Sequence, residues 1–255
     1  RGDIAQQVRE VSIDTCKTGL GGMAGNKGGV AVRFLLGLTS VCVMCGHFAA
    51  HLNKVRSRNR DYATVTASLR FPQHRPQLHP QKARDALRAQ SYPAPGHALA
   101  HDAVIWLGDF NYRIDGGLSS DEIKAMITSE ETHKLHAFDQ LAGEQADGRV
   151  FEGFTEGSIG FNPTYKFDTG SNVYDTSPKA RAPAWCDRVL YRGRDISMVK
   201  YDSCPSQCFS DHKPVVALLN VQVMVPLKGE DGKAVLDKVV KESEEAVRGR
   251  TAVCG

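Results

Sequence analysis

Short apolar runs, separated by glycine, proline and small polar residues, follow one another along most of the chain, and their period favours strands. Residues 30–36 and 40–46 are rich in Val, Phe, Leu and Cys, and Gly37-Leu38-Thr39 between them predicts a hairpin. A looser alternation over residues 11–16 predicts a strand before that hairpin. Residues 103–107 read as a short buried strand, and 187–191, 196–201 and 215–225 as three more. Helical spacing is rarer. Leu52, Val55, Tyr62, Val65 and Leu69 share one face, with Arg56, Arg58, Arg60 and Asp61 elsewhere, which predicts a helix over 52–69. Ser119 followed three residues later by Glu122 is a capping box opening a second helix. A third is predicted over 133–142, stopped by Gly143. The thin stripe Val235, Val239, Ala246 predicts an exposed helix over 230–250. Residues 72–101, rich in proline and histidine, predict a surface insertion with a short helix over 81–90, and 147–177 is loop-rich. Strand runs mixed with few helices predict a layered α/β sandwich.

Composition narrows the classes. With 255 residues and 41% hydrophobic content, the chain suits one large α/β domain with an appendage: residues 1–226 as the domain and 227–255 as a helical connector. A net charge of +3 gives no global field that calls for nucleic acid, so a preference for anions must come from local basic clusters. No apolar run approaches the roughly 20 residues needed to cross a bilayer. Seven scattered cysteines do not make a disulfide framework, and a reducing compartment such as the cytosol is expected. Cys42 and Cys45 have C-x-x-C spacing inside an apolar run, and both are expected to be buried strand thiols. The chain opens on Arg1 and enters strand-like sequence at once, so an upstream segment is expected.

Polar residues at the ends of apolar runs carry the candidate chemistry. Trp106-Leu107-Gly108-Asp109-Phe110-Asn111 ends a predicted strand on an acid and an amide at i, i+2, which on extended backbone share a side. Ser210-Asp211-His212-Lys213-Pro214 supplies an acid beside an imidazole, and Asp187 is the carboxylate available to hold His212 in one tautomer and stabilise its charged form. Asp109, Asn111, Asp187, Asp211 and His212 together suit metal-assisted phosphoester hydrolysis. Their hard oxygen ligands favour magnesium over zinc. His47 ends a strand as Asp109 does, with His51 four residues on. The run 17–29, with Leu20, Met23, Asn26 and Lys27 among six glycines, predicts a flexible loop whose N–H groups can hold an anion and whose apolar tips can dip into a lipid surface. Tyr165-Lys166 and Lys179-x-Arg181 add three cations and a phenol, more positive charge than one phosphate needs.

Taken in order, the segments around Gly21–Gly28, His47–His51, Trp106–Ile114, Pro163–Asp168, Arg181–Arg188 and Ser210–Pro214 resemble the inositol polyphosphate 5-phosphatase family, above all its type II and Lowe-syndrome subgroup. The resemblance implies the exonuclease–endonuclease–phosphatase fold, two packed sheets flanked by helices. It implies magnesium-dependent removal of the 5-phosphate from phosphatidylinositol 4,5-bisphosphate, the 3,4,5-trisphosphate or soluble inositol phosphates, by a monomer at the cytosolic face of a membrane. By motif position, Asp109 would orient the attacking water and Asn111 would hold the phosphate. His212 paired with Asp187 would stabilise its charge, and His47 and Asp211 would complete the pocket, Asp211 and Asp109 meeting the metal. Tyr165, Lys166, Lys179 and Arg181 would read the 4-phosphate, with His51 also at the substrate. Asn26 and Lys27 would meet the 1-phosphate, and Met23 and Leu20 the membrane. The family's Trp-Asn strand and the Gln-Glu whose Glu is the main magnesium ligand do not occur in this chain. Missing core strands, an unpaired sheet edge, marginal folding and little turnover from residues 1–255 alone are therefore expected. A nuclease of the same superfamily and a non-catalytic phosphoinositide-binding scaffold are the alternative readings.

Overall fold

The computed structural model describes residues 7–71 and 96–225. The helices expected over 81–90 and 230–250, and the connector from 227, lie outside the described residues. So does most of the proline- and histidine-rich insertion.

Two sheets form the frame. The larger contains β1 (Val8–Gly19), β2 (Ala24–Leu36), β3 (Thr39–His47), β4 (Ala103–Asp109), β5 (Thr155–Glu156) and β6 (Asp187–Gly193), in the order β1-β2-β3-β4-β6-β5. The smaller, among the described residues, pairs β7 (Ile196–Ser203) with β8 (Val215–Val221). Neighbours are antiparallel except β3 and β4, which run parallel. Helix α1 (Val55–Ser68) lies between β3 and β4 in sequence. The mixed α/β architecture with a larger and a smaller sheet is the layered arrangement expected.

Strand β3 explains why its sequence reads as a continuous apolar run. Cys42 and Met44 face the main core with Trp106, Phe48, Phe110, Tyr112, Phe151 and Leu190, while Val41 and Val43 face a second cluster with Ile105, Ile196, Leu219 and Val221. Both faces are covered, so neither can alternate with polar residues. The main core is aromatic, with Trp106 in ring contact with Phe48, Tyr62, Phe110, Phe151 and Phe154. Arg188 in β6 is wholly buried, and its charge is met by Asp139 at 2.8 Å and by a two-point pairing with Glu156.

Several expectations are corrected. The glycine-rich run is not a loop. Lys17 pairs with Gly28 and Cys16 with Gly29, so β1 and β2 form a long hairpin around the single 3-10 turn Leu20–Gly22. The glycines serve that ladder: a Cβ on Gly28 would lie 2.0 Å from the Cys16 carbonyl oxygen. The expected anion-holding N–H groups are therefore divided: Gly28 and Gly29 lie in the ladder, while Gly21 and Gly22 lie in the 3-10 turn. The predicted helix over 133–142 is broken into α3 (Thr132–Leu135), a 3-10 turn and α4 (Gln140–Ala146). Asp139 is extended and caps α4 by accepting from Leu141 and Ala142. Helix α2 (Ser120–Thr128) starts with the expected Ser119–Glu122 capping box. Cys42 is buried, its thiol pushed up to about 12 by burial, but Cys45 is exposed. An i, i+3 pair on a strand points to opposite faces, which also removes the pair as a shared metal or redox site.

On the sheet surfaces, Val11, Ile13, Val199, Val216 and Leu218 are exposed aliphatic residues of β1, β7 and β8. Among the described residues the smaller sheet has two strands, and Val199, Val216 and Leu218 on it are exposed.

Candidate active site

Strand register builds the site. Across the large sheet His47 pairs with Asp109 in the parallel β3–β4 ladder, and Asp109 pairs with Asp187 in the antiparallel β4–β6 ladder. Three titratable side chains from residues far apart in sequence thus occupy one row at the strand ends. One residue below, Gly46 pairs with Gly108, and a Cβ on Gly108 would lie 2.0 Å from the Gly46 carbonyl oxygen. Gly108 also has φ +141°, a backbone conformation that side chains disfavour, so this close approach of β3 and β4 requires glycine.

Asp109 is the hub. Its carboxylate lies 3.2 Å from His47 Nε2, accepts from the Asn111 backbone N–H at 3.0 Å, and accepts from Asn111 Nδ2 at 3.0 Å. Burial acts to raise its pKa, but the hydrogen bond with His47 and the positive charges of His212, His47 and Lys27 outweigh it and hold the carboxyl below its ordinary value. Lys27 Nζ hydrogen-bonds to His47 Nε2, and burial lowers its own pKa against the pull of Asp109 and Asp61.

Asn111 is buried at φ +57°, not extended as the i, i+2 spacing suggested. Asparagine tolerates this left-handed conformation better than most side-chain-bearing residues. Its two amide hydrogens go to Asp109 and to the Phe48 carbonyl oxygen at 3.2 Å, and its Oδ1 accepts from Arg113. The expected phosphate-binding amide is thus committed to holding Asp109.

His212 Nδ1 lies 2.7 Å from Asp187 Oδ2, the pairing expected from the sequence. Burial alone would lower the pKa of His212; the Asp187 hydrogen bond and charge, with Asp109 and Asp211, overcome that and raise it. Burial raises Asp187 as well, against His212, with Asp109 adding to the rise. The pair therefore holds its shared proton firmly.

The expected 4-phosphate readers separate into two groups. Tyr165 belongs to the cluster: its ring lies 4.7 Å from the His212 ring, and the Arg113 guanidinium sits 4.4 Å over its face. Lys166 is ion-paired to Asp211 at 3.8 Å. Lys179 is exposed, and Arg181 is placed through its backbone N–H, which donates to Asp175 at 2.8 Å. His51, at φ +78°, contributes its carbonyl, which accepts from Arg58 at 2.6 Å. Asn26 is exposed on the β1–β2 hairpin, and Leu20 and Met23 at its turn are 76% and 84% exposed, so both stand clear of the core.

Metal donors fit less well. The hard oxygens of Asp109 and Asp211 suit magnesium chemically. Yet Asp109 is bonded to His47 and Asn111, Asp211 faces Lys166, and no group of three or more His, Cys, Asp or Glu side chains is gathered for a metal among the described residues. Among the described residues the expected Asp109–Asp211 pair is not gathered with a third donor, and each carboxylate has other partners. A cavity of about 310 Å³ borders Asp187 and His212, but Leu107, Val189, Phe209 and Val215 give it apolar walls unsuited to a phosphate.

Sequence reading missed the role of Arg113, which grips Asn111 and underlies Tyr165. Its signal was present: residues 109, 111 and 113 are an acid, an amide and a cation at two-residue spacing. The contact of Lys27 with His47 left no such signal, since it depends on how β2 lies against β3.

A two-sheet α/β frame with two acids and an imidazole in register at its strand ends, and a second imidazole bonded to one of the acids, defines a protein of the endonuclease/exonuclease/phosphatase class. The family model for endonuclease/exonuclease/phosphatase family 2 matches residues 1–218, and the chain belongs to that family. Its relatives include the mouse type II inositol 1,4,5-trisphosphate 5-phosphatase, 40% identical over 241 residues, covering 94% of this chain and 23% of that protein. The Saccharomyces cerevisiae phosphatidylinositol 4,5-bisphosphate 5-phosphatase INP51 is 39% identical over 241 residues, 93% of this chain and 23% of that one. The inositol polyphosphate 5-phosphatase domain of spsynaptojanin, solved with inositol (1,4)-bisphosphate and calcium ion, superposes with a TM-score of 0.73 at 34% identity, over 98% of this chain and 66% of that one. The chain thus spans less than a quarter of the length of the two curated relatives named.

Proposed function

We propose that this chain carries the catalytic apparatus of a phosphatase that removes the 5-phosphate from phosphoinositides or soluble inositol phosphates. The observation that carries the reading is the registered row His47, Asp109, Asp187 with His212 locked on Asp187. The names of its relatives point the same way. In this reading Asp109, kept ionised, accepts a hydrogen bond from the attacking water and orients it. His212, kept charged by Asp187, meets the negative charge developing on the phosphoryl oxygens. Asn111 and Arg113 fix the position of Asp109. Lys179 and Arg181, on the exposed side, take the 4-phosphate, with Lys166 once it leaves Asp211. Magnesium is the proposed cofactor on donor chemistry, and its coordination requires a carboxylate beyond Asp109 and Asp211. The exposed Leu20 and Met23 support contact with a membrane surface, which fits a peripheral protein on a cytosolic face.

The test is phosphate release from short-chain phosphatidylinositol 4,5-bisphosphate and from phosphatidylinositol 4-phosphate, with magnesium and with a chelator. Metal-dependent release from the first alone supports the reading. Equal release from both, or cleavage of plasmid DNA instead, overturns it. A second reading, a phosphoinositide-binding scaffold, is favoured by the incomplete metal donors among the described residues. Binding without release under any divalent cation, in a form of the protein that also supplies the further metal carboxylate, would select it.

A further inference from the structure

Lys213 follows the catalytic His212 and is 2% exposed, yet no carboxylate lies in ion-pairing distance of its ammonium among the described residues. Its partners are the Ser171 carbonyl oxygen at 2.7 Å, the Cys208 sulfur at 3.0 Å and the face of Phe167 at 4.6 Å. A buried ammonium without an anion is costly. Among the described residues, Cys208 is the one nucleophilic side chain bonded to its ammonium.

Cys208 also differs from the other described cysteines. Cys42 and Cys186 are buried, and burial pushes both thiols up; it raises Cys45 as well. Cys16 and Cys204 are partly exposed, with no cation shown bonded to sulfur. Cys208 combines partial exposure with an ammonium 3.0 Å from its sulfur, a pairing not seen at the other described cysteines.

Its position gives that reactivity a consequence. Cys208 and Lys213 lie on the seam between the segment carrying Tyr165-Lys166 and the segment carrying Asp211-His212. Gly170 N–H donates to the Cys208 carbonyl oxygen at 2.7 Å, Phe167 N–H to the Asp211 carbonyl oxygen at 2.9 Å, and Lys213 N–H to the Thr164 carbonyl oxygen at 2.8 Å. The Cys208 thiol also has Asn172 Oδ1 at 3.5 Å and the Pro205 and Ser206 carbonyl oxygens at 3.6 and 3.8 Å as acceptors.

We propose that Cys208 is an oxidation site, primed by Lys213, at which a hydroperoxide reversibly loosens the seam beneath Asp211-His212. The thiolate attacks hydrogen peroxide: a sulfur–oxygen bond forms, the oxygen–oxygen bond breaks, and hydroxide leaves and is protonated to water. Sulfur gives up two electrons and becomes a sulfenic acid. Oxidation changes the atom that the Lys213 ammonium and Asn172 Oδ1 contact, which couples it to the seam. A low-molecular thiol reverses the change by forming a mixed disulfide, which a second thiol reduces. The site stands independently of the phosphatase reading.

The test treats the whole chain with sub-stoichiometric hydrogen peroxide and a cyclic diketone that traps sulfenic acids, and reads each cysteine by peptide mass spectrometry. Cys208 is expected to label at least about tenfold faster than Cys204 or Cys16. Lys213→Met should bring it down to the Cys204 rate, while Lys213→Arg should keep it fast. Asn172→Asp, an exposed change that sets a carboxylate beside the sulfur, should also slow labelling, and it decides the point if Lys213→Met does not fold. Oxidation should lower the melting temperature of the wild type, reversibly with dithiothreitol, and leave Cys208→Ser unchanged. Equal labelling of Cys204 and Cys208, a rate indifferent to Asn172→Asp, or the same melting shift in Cys208→Ser would overturn the proposal.

Discussion

The row of strand ends and the basic segment 164–182 lie close together but are built differently. His47, Asp109 and Asp187 stand on three hydrogen-bonded strands whose register permits no slip without turning side chains to the other face. Asp109 is half-buried and multiply bonded, Asp187 is half-buried and bonded to His212, and the next residue of β6 is the buried Arg188 with its two acidic partners. Lys166, Lys179 and Arg181 sit on loop backbone. Lys166 is held by a single ion pair at 3.8 Å, and Lys179 is exposed. A reacting group must be placed within fractions of an ångström, whereas a charge that reads a peripheral phosphate can adjust. The contrast predicts chemistry that fails sharply when the row is touched and selectivity that degrades gradually when the loops are.

Asp109→Ala should have the largest effect, lowering turnover by about 10²–10⁴-fold while binding of inositol (1,4)-bisphosphate stays within a few-fold. If binding falls with turnover, the row is a binding site and the division between regions is wrong. Gly108→Ala should act on the same row through the backbone, because its Cβ would meet the Gly46 carbonyl oxygen at 2.0 Å. A loss of roughly 2–4 kcal/mol in urea unfolding is expected. An unchanged midpoint would mean the strands can part without cost.

On the other side of the comparison, Lys179→Ala or Arg181→Ala should remove one charge-assisted contact, about 1.5–3 kcal/mol, or roughly one to two orders of magnitude in kcat/KM on 4-phosphorylated substrates. Equal losses on substrates lacking a 4-phosphate would place these cations elsewhere in the mechanism.

The smallest effect is a shift along the pH axis. Asp187 raises the pKa of His212, so a rate that needs charged His212 persists below that raised value and fails as pH rises through it. The stability contributed by the raised pKa has the same sign: it is full below about 6.5 and is lost as pH climbs through the folded value. Asp187→Asn removes the acceptor charge, so the fall in kcat/KM should move to lower pH. A profile that stays in place would show that the pair does not govern the alkaline limb.

Much of this was legible in the chain. The Gly37-Leu38 turn, the Ser119–Glu122 cap and the short buried strand β4 follow from local propensity and period, which act over a few residues. The pairing of Asp187 with His212 was also readable, because a buried acid and an imidazole have few other ways to be satisfied. The broken helix after Thr132 was not, since Asp139 serves both as cap of α4 and as partner of buried Arg188, and the second role comes from a distant strand.

The sequence by itself determined which residues carry chemistry and which local elements present them, because residue type and short spacing set protonation range, capping and strand period. Tertiary structure alone decided who meets whom. The in-register row of His47, Asp109 and Asp187, the left-handed turn that commits Asn111 to Asp109, the reach of Lys27 to His47 and the pairing of Lys166 with Asp211 all depend on long-range strand pairing. Register between strands tens of residues apart is fixed by the summed packing of whole sheet faces, and no short window of sequence contains that sum.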